Sequence, residues 1–139
     1  MIGALSAADG AAARKLNVAI VDGDDGIRRA LATLLRAAGI NVSTYASAEQ
    51  FLEYAEPRFV DCLVVDIHLR GMSGFDLRRH LRTSGAGTPV IFVTAHDKPA
   101  TREQARLAHC AAYFAKPFPL VSLIDAINRA TEHRLIMDV

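Results

Sequence analysis

Short apolar runs recur along the chain, and four of them lead directly into a polar side chain. The runs are rich in β-branched residues and show little alternation, which is the pattern of strands buried on both faces of a parallel sheet. Asn41 to Tyr45 predicts a shorter strand with some alternation. The four runs are Val18 to Val21 before Asp22, Val60 to Val65 before Asp66, Val90 to Val93 before Thr94, and Ala112 to Ala115 before Lys116.

Between these runs, the hydrophobic spacing changes to that of amphipathic helices. Ile27, Leu31, Leu34 and Leu35 follow one another at helical spacing and predict the buried face of a first helix, which Gly39 ends. The same reasoning predicts a second helix after residue 47, a third at about 75–83, a fourth and weakly amphipathic one at about 99–109, and a fifth from residue 120.

This order of elements indicates the fold. Five strands alternate with five helices, and every connection contains a helix, so the strands are predicted to be parallel with right-handed crossovers. The predicted class is α/β, a flavodoxin-like doubly wound sheet of order 2-1-3-4-5. In such sheets the carboxyl ends of strands one and three form the ligand-binding crevice. We therefore expect one crevice to gather the four polar residues that end the strands: Asp22, Asp66, Thr94 and Lys116.

Composition and charge narrow the classes of partner. The chain has 139 residues, 51% hydrophobic and 22% charged, which fits one globular domain. A net charge of +1 provides no basic surface for nucleic acid or anionic membrane, and no apolar run approaches the roughly 18 residues of a membrane span. Cys62 and Cys110 predict free thiols. We expect a flexible N-terminal tail at residues 1–15, one domain at 16–133 and a C-terminal tail at 134–139.

The predicted crevice has the chemistry of phosphoryl transfer. Two carboxylates can hold a divalent cation, and Mg²⁺ suits one or two carboxylates plus water. A lysine stabilises charge that develops on the transferred group, and a hydroxyl can bond a phosphoryl oxygen.

These residues closely resemble the receiver domain of two-component response regulators, over residues 16 to 133. In that resemblance, Asp66 matches the phospho-acceptor, and Thr94 with Ala95 matches the switch hydroxyl and its small neighbour. Lys116, followed by a cis proline in the family, matches the phosphoryl-binding lysine, and Tyr113 stands where the family keeps a rotating switch aromatic. The resemblance therefore implies a signalling domain, not an enzyme beyond its own phosphorylation and dephosphorylation.

One departure from the family concerns the metal site. Receivers carry two consecutive acids after the first strand; Asp22 matches the first of them, but Gly23 occupies the slot of the second. By the resemblance, the Mg²⁺ ligands would be Asp22, Asp66 and the backbone carbonyl of His68, with Asp24 as a possible substitute for the lost acid. We expect the loss to weaken Mg²⁺ binding.

The resemblance implies that a sensor histidine kinase or a phosphotransfer protein modifies Asp66 in the cytoplasm of a bacterium. Thr94 and Tyr113 would then move, and the face formed by helix four, strand five and helix five would change its affinity for a downstream protein partner. Homodimerisation through this face remains an open option. The chain is expected to be a stand-alone receiver or a truncated one.

Two alternatives remain at this point. If Gly23 disables the site, the chain is a phosphorylation-impaired adaptor that acts by constitutive protein binding. Alternatively, Asp22 and Asp24 fit the DxD nucleophile motif of haloacid-dehalogenase-like phosphatases, although the later acidic pair of such enzymes is missing from the sequence.

Overall fold

A computed structural model describes residues 14–137 of the chain, with side chains described as far as residue 132. Its centre is one parallel sheet of order β2-β1-β3-β4-β5, as the sequence predicts. Residues 1–13 of the expected N-terminal tail lie outside the described residues. The strands are β1 (Asn17–Val21), β2 (Asn41–Tyr45), β3 (Cys62–Asp66), β4 (Val90–Thr94) and β5 (Ala112–Ala115).

Burial follows the position of each strand in the sheet. The central strands β3 and β4 are almost completely buried, whereas the edge strands β2 and β5 are partly exposed. Strand β3 begins at Cys62 rather than at the predicted Val60, because residues 57–59 form a short 3-10 turn. Asp61 lies just before the strand and accepts hydrogen bonds from the Arg14 guanidinium and the Asn17 backbone N–H.

Five α-helices cover the two faces of the sheet and divide the core into two layers. The last helix reaches Met137 and so includes residues 134–137 of the expected C-terminal tail. No helix within residues 14–137 combines the length and apolarity that a membrane span requires. The helices are α1 (Asp25–Ala37), α2 (Ala48–Tyr54), α3 (Gly74–Thr83), α4 (Pro99–Leu107) and α5 (Leu120–Met137).

The predicted buried face of α1 is wrong in part. Ala32 and Leu35 are buried against the sheet, but Ile27 is 40% exposed and Leu34 is 47% exposed. The apolar spacing predicts the helix correctly, but it cannot tell how wide a stripe the sheet covers. Helix α1 therefore presents apolar side chains to solvent.

Helix α4, which is weakly amphipathic in sequence, is weakly packed. Only Ala105 is buried, and Leu107, the largest apolar residue of the helix, is 60% exposed. Few buried apolar contacts make an element easy to displace.

Candidate functional site

Three of the predicted site residues have side chains that are held by the same type of hydrogen bond, to the backbone N–H two residues later. Asp22 Oδ1 accepts from the backbone N–H of Asp24 at 2.9 Å, and Asp66 Oδ1 accepts from that of His68 at 3.0 Å. Thr94 Oγ1 accepts from the N–H of His96 at 2.9 Å. Such bonds from a side chain to the backbone two residues later are typical of turns that follow strands. Each strand end thus orients its own polar group.

Lys116 joins the two carboxylates. Its Nζ lies 2.8 Å from Asp22 Oδ2 and 3.2 Å from Asp66 Oδ2. The lysine is held in turn by its backbone N–H, which donates to the Thr94 carbonyl at 2.7 Å. The structure therefore brings together the four residues that the sequence places at the strand ends.

This cluster is largely withdrawn from solvent. The side chains of Asp22, Asp66 and Lys116 are 3%, 14% and 14% exposed, and Thr94 is fully buried. Burial alone would lower the pKa of Lys116, but the hydrogen bond and charge of Asp22, with the charge of Asp66, raise it above its ordinary value. The ammonium therefore keeps its charge at neutral pH.

A close backbone contact positions the strand end that carries Asp66. The first residue of α3, Gly74, lies against the strand end: an added Cβ would stand 2.7 Å from the Asp66 carbonyl oxygen and 2.9 Å from Ile67 Cα. The peptide bond between Lys116 and Pro117 is cis, as the sequence resemblance implies. The close contact at Gly74 fixes the backbone directly beside Asp66.

The oxygen donors of the site suit a hard divalent cation. The carboxylates of Asp22 and Asp66 and the carbonyl of His68 are the ligand types that Mg²⁺ prefers. Within the described part of the chain, no group of three or more His, Cys, Asp or Glu side chains could hold a metal. Asp24, the possible substitute ligand, uses its carboxylate to cap α1 by accepting from the Ile27 N–H. These oxygen donors fit Mg²⁺, but they include one carboxylate fewer than a site with two consecutive acids after the first strand.

Gly23 has space for a Cβ. The nearest contact of an added Cβ would be the Ala46 carbonyl oxygen at 3.9 Å, which is an ordinary van der Waals distance. The first atom of an aspartate side chain therefore fits at this position without a close contact.

Two histidines lie at the mouth of the site. His68 and His96 are both exposed, and their rings meet edge to face with centroids 5.0 Å apart. The pair joins the loop after Asp66 to the loop after Thr94. The sequence gives no sign of this contact, since the two residues are 28 positions apart.

Tyr113 is partly buried against the core, and its hydroxyl is held at the surface. The Tyr113 hydroxyl donates to Asp97 Oδ1 at 2.9 Å, and the guanidinium of Arg102 lies over the ring, 5.1 Å from its centroid. Burial, together with the hydrogen bond to Asp97, raises the pKa of Tyr113 to about 12. Asp97 and Arg102 are not among the residues that the sequence singles out.

Two further residues support the site loops and were also missed. Arg28 Nη1 donates to the backbone carbonyl of Asp22 at 2.6 Å, and Glu49 Oε2 accepts from the N–H of Met72 at 2.8 Å. Both side chains are ordinary charged residues on helix faces in the sequence. Only the packing of α1 and α2 against the loops brings them to these positions.

Comparison with known proteins agrees with this geometry. The family model described as response regulator receiver domain matches residues 18–128. Nodulation protein W of Bradyrhizobium diazoefficiens is 34% identical over 121 residues, which cover 87% of this chain and 53% of that protein. The transcriptional regulatory protein FixJ of Azorhizobium caulinodans is 36% identical over 114 residues, covering 81% of this chain and 54% of that protein.

A solved structure gives the same result at the level of the fold. The crystal structure of FixJ-N superposes with a TM-score of 0.78 at 35% identity, covering 86% of this chain and 96% of that one. The chain spans about half the length of each of these two relatives.

Proposed function

Because the chain belongs to the response regulator receiver domain family, a family of signalling domains rather than classical enzymes, we propose that a sensor histidine kinase phosphorylates it on Asp66. The family works through histidine kinases and downstream effectors and generally binds Mg²⁺ in its acidic pocket. For this chain we assign the kinase or phosphotransfer protein as phosphoryl donor and a protein as output partner, in the bacterial cytoplasm.

The observation that carries the proposal is the position of Lys116 between Asp22 and Asp66. The Asp66 carboxylate attacks the phosphorus of the donor, a new P–O bond forms, and the bond from phosphorus to the donor breaks. Lys116 Nζ, already 3.2 Å from Asp66 Oδ2, stabilises the charge on the arriving group. The hydroxyl of Thr94 accepts from His96, so its own proton remains free to donate to a phosphoryl oxygen.

Mg²⁺, when bound, would be held by Asp22, Asp66 and the carbonyl of His68 and would neutralise charge on the transferred group. Because Gly23 contributes no carboxylate and Asp24 caps α1, we propose that the ion binds weakly.

An apolar surface beside the site supports a protein as the phosphoryl donor. We call it the α1 patch. It borders Ala95 and Lys116, so a helix that docks on it lies next to Asp66. Single exposed apolar residues are ordinary, but a contiguous group next to a reactive carboxylate is typical of an interaction site. The α1 patch consists of Ile27, Leu31, Leu34, Pro117, Phe118 and Leu120.

The direct test is to locate the phosphoryl group after incubation of the full chain with acetyl phosphate and Mg²⁺. We expect peptide mass spectrometry to find it on Asp66, and Asp66→Asn to remain unmodified. Asp61→Asn, which alters a nearly buried carboxylate at the other end of β3, is the matched control and should be modified like wild type. Modification of Asp66→Asn to the wild-type extent would refute the assignment.

Gly23 supports a second candidate, a receiver that binds its partner without phosphorylation. In that case the α1 patch and the helix four to helix five face would bind protein constitutively. Titration with Mg²⁺ in the presence of acetyl phosphate separates the candidates. A constitutive adaptor should bind its partner equally with and without the ion, whereas a phosphorylated receiver should change its affinity for the partner when the ion is added. The phosphatase interpretation of Asp22 and Asp24 is set aside, since receiver domains are signalling domains.

A further inference from the structure

We propose that Asp97 and Arg102 form a latch that holds Tyr113 in its resting position and opposes the movement of this side chain on phosphorylation. The inference rests on the proposed function and on the resemblance, which places Tyr113 at the position of the switch aromatic. Neither Asp97 nor Arg102 touches the acceptor, so both are positioning residues.

Three elements meet in the latch. Tyr113 belongs to β5, Asp97 to the loop between β4 and α4, and Arg102 to α4. Asp97 Oδ1 accepts from both the Tyr113 hydroxyl and Arg102 Nε at 2.9 Å, while Asp97 Oδ2 accepts from Arg102 Nη2 at 2.8 Å. The same guanidinium covers the tyrosine ring. The ring is thus held at its hydroxyl and on one face by two residues that also hold each other.

The arrangement differs from an ordinary helix-surface ion pair. Arg106 and Glu103 form such a pair on the same helix, at the usual spacing of three residues. Asp97 lies before the start of α4 and five residues from Arg102, so their bond ties the loop to the helix. Arg106 therefore supplies a matched control for charge and exposure on the same element.

The latch is connected to the acceptor through the loop that carries Asp97. Thr94 lies three residues earlier, with its hydroxyl bonded to His96 and its carbonyl bonded to the N–H of Lys116. A shift of Thr94 toward a phosphoryl group displaces this loop and hence Asp97. Helix α4 has only one buried residue to resist the displacement.

The energetic consequence is a population shift. To leave its observed position, Tyr113 gives up the hydrogen bond to Asp97 and the contact with Arg102. Interactions present in only one of two states reduce the fraction of the other state at any given driving force. The hydrogen bonds from Arg102 and Tyr113 lower the pKa of Asp97, so it remains an ionised acceptor at neutral pH.

The test follows the ring resonance of Tyr113 in fluorotyrosine-labelled full chain during titration with acetyl phosphate and Mg²⁺. Tyr113→Phe assigns the resonance among the three tyrosines. We expect Arg102→Ala to reach half conversion at about two- to fivefold lower acetyl phosphate than wild type, the range of a partly exposed interaction. Arg106→Ala should match wild type. The latch proposal would be overturned if half conversion occurs at the same acetyl phosphate concentration in Arg102→Ala, Arg106→Ala and wild type.

A second measurement, without any phosphoryl donor, separates failure of the latch from failure of the proposed function. Burial and the hydrogen bond to Asp97 raise the pKa of Tyr113 in the resting protein, and Asp97→Asn should lower it, because the ionised carboxylate beside the hydroxyl is removed. The ring resonance of Tyr113 reports this pKa. An unchanged pKa in Asp97→Asn would overturn the latch whether or not Asp66 is phosphorylated. If Asp97→Asn lowers the pKa of Tyr113 but wild type accepts no phosphoryl group, the proposed function fails and the latch does not. The titration with acetyl phosphate is then repeated in the Gly23→Asp background.

Discussion

At the scale of single residues, the site depends on one ammonium that faces two carboxylates. Lys116 neutralises Asp22 and Asp66, which would otherwise face each other with little access to water. When one member of a buried group of charges is removed, the remaining charges stay buried without an opposite charge. This lowers the free energy of unfolding by more than the net contribution of the intact interaction. Lys116 therefore stabilises the fold as well as the proposed phosphoryl transfer.

We predict that Lys116→Met lowers the free energy of unfolding at neutral pH by about 1–3 kcal/mol. The pKa of Lys116 is raised in the folded chain, so its contribution is complete below the ordinary lysine pKa of 10.5 and is lost as pH rises through the raised pKa. The difference between wild type and Lys116→Met should accordingly shrink above pH 10.5, as measured by urea unfolding at a series of pH values.

Lys98→Met is the control, because Lys98 is exposed and makes no capping hydrogen bond at the start of α4. It should leave the unfolding free energy almost unchanged at every pH. A loss in Lys116→Met no greater than that in Lys98→Met would contradict the assigned role.

At the scale of secondary-structure elements, α3 determines where the backbone of Asp66 lies. Gly74 starts α3 and touches backbone atoms that cannot move aside without shifting Asp66. We predict that Gly74→Ala destabilises the fold by about 1–3 kcal/mol, as overpacking of a filled site does. It should also slow modification of Asp66 by acetyl phosphate.

Gly87→Ala provides the comparison for Gly74→Ala. An added Cβ at Gly87 has no neighbour within 4 Å, and Gly87 lies in the loop between α3 and β4. Urea unfolding and the rate of phosphorylation should both remain at the wild-type values in Gly87→Ala. Equal stability and equal rates in the two variants would show that the close contact at Gly74 does not matter.

The α1 patch, part of which lies on helix α1, is the proposed docking surface for the kinase or phosphotransfer protein. Leu34→Ser removes an exposed side chain of the α1 patch, so the unfolding free energy should change by no more than about 0.5 kcal/mol. Transfer from a phosphorylated kinase or phosphotransfer protein should become slower, whereas modification by acetyl phosphate, which needs no docking surface, should keep its rate.

Leu107→Ser is the matched control for Leu34→Ser, since Leu107 is similarly exposed on α4 but lies outside the α1 patch. We expect it to leave both reactions unchanged. If the two variants slow protein-mediated transfer equally, or neither slows it, the α1 patch is not the docking surface.

At the scale of the whole molecule, the sequence predicts the sheet and the strand-end residues because both depend on local patterns. An apolar run that ends in Asp22 or Asp66 indicates a buried strand with a polar tip, and parallel order then brings the tips together. The exposure of Leu34 was not predictable, since periodicity does not show how much of α1 the sheet covers. The contact of Tyr113 with Asp97 and Arg102 depends on three elements that meet only in the folded chain.

The family assignment covers the fold and the class of protein, whereas the capacity of this chain to be phosphorylated depends on Gly23. Asp22, Asp66 and Lys116 are present with suitable geometry, and one carboxylate is missing. An added Cβ at Gly23 would meet no close contact. The central claim is therefore that Asp22, Asp66 and Lys116 are sufficient for phosphorylation of Asp66, without a fourth charged group at position 23.

The most direct test is the intact mass of wild type, Asp66→Asn and Gly23→Asp after incubation with acetyl phosphate and Mg²⁺. We predict that wild type gains the mass of one phosphoryl group, that Asp66→Asn gains none, and that Gly23→Asp is modified faster and at lower Mg²⁺ concentration. If wild type gains no mass while Gly23→Asp is modified, the claim is contradicted. The chain is then a receiver fold that works by binding alone.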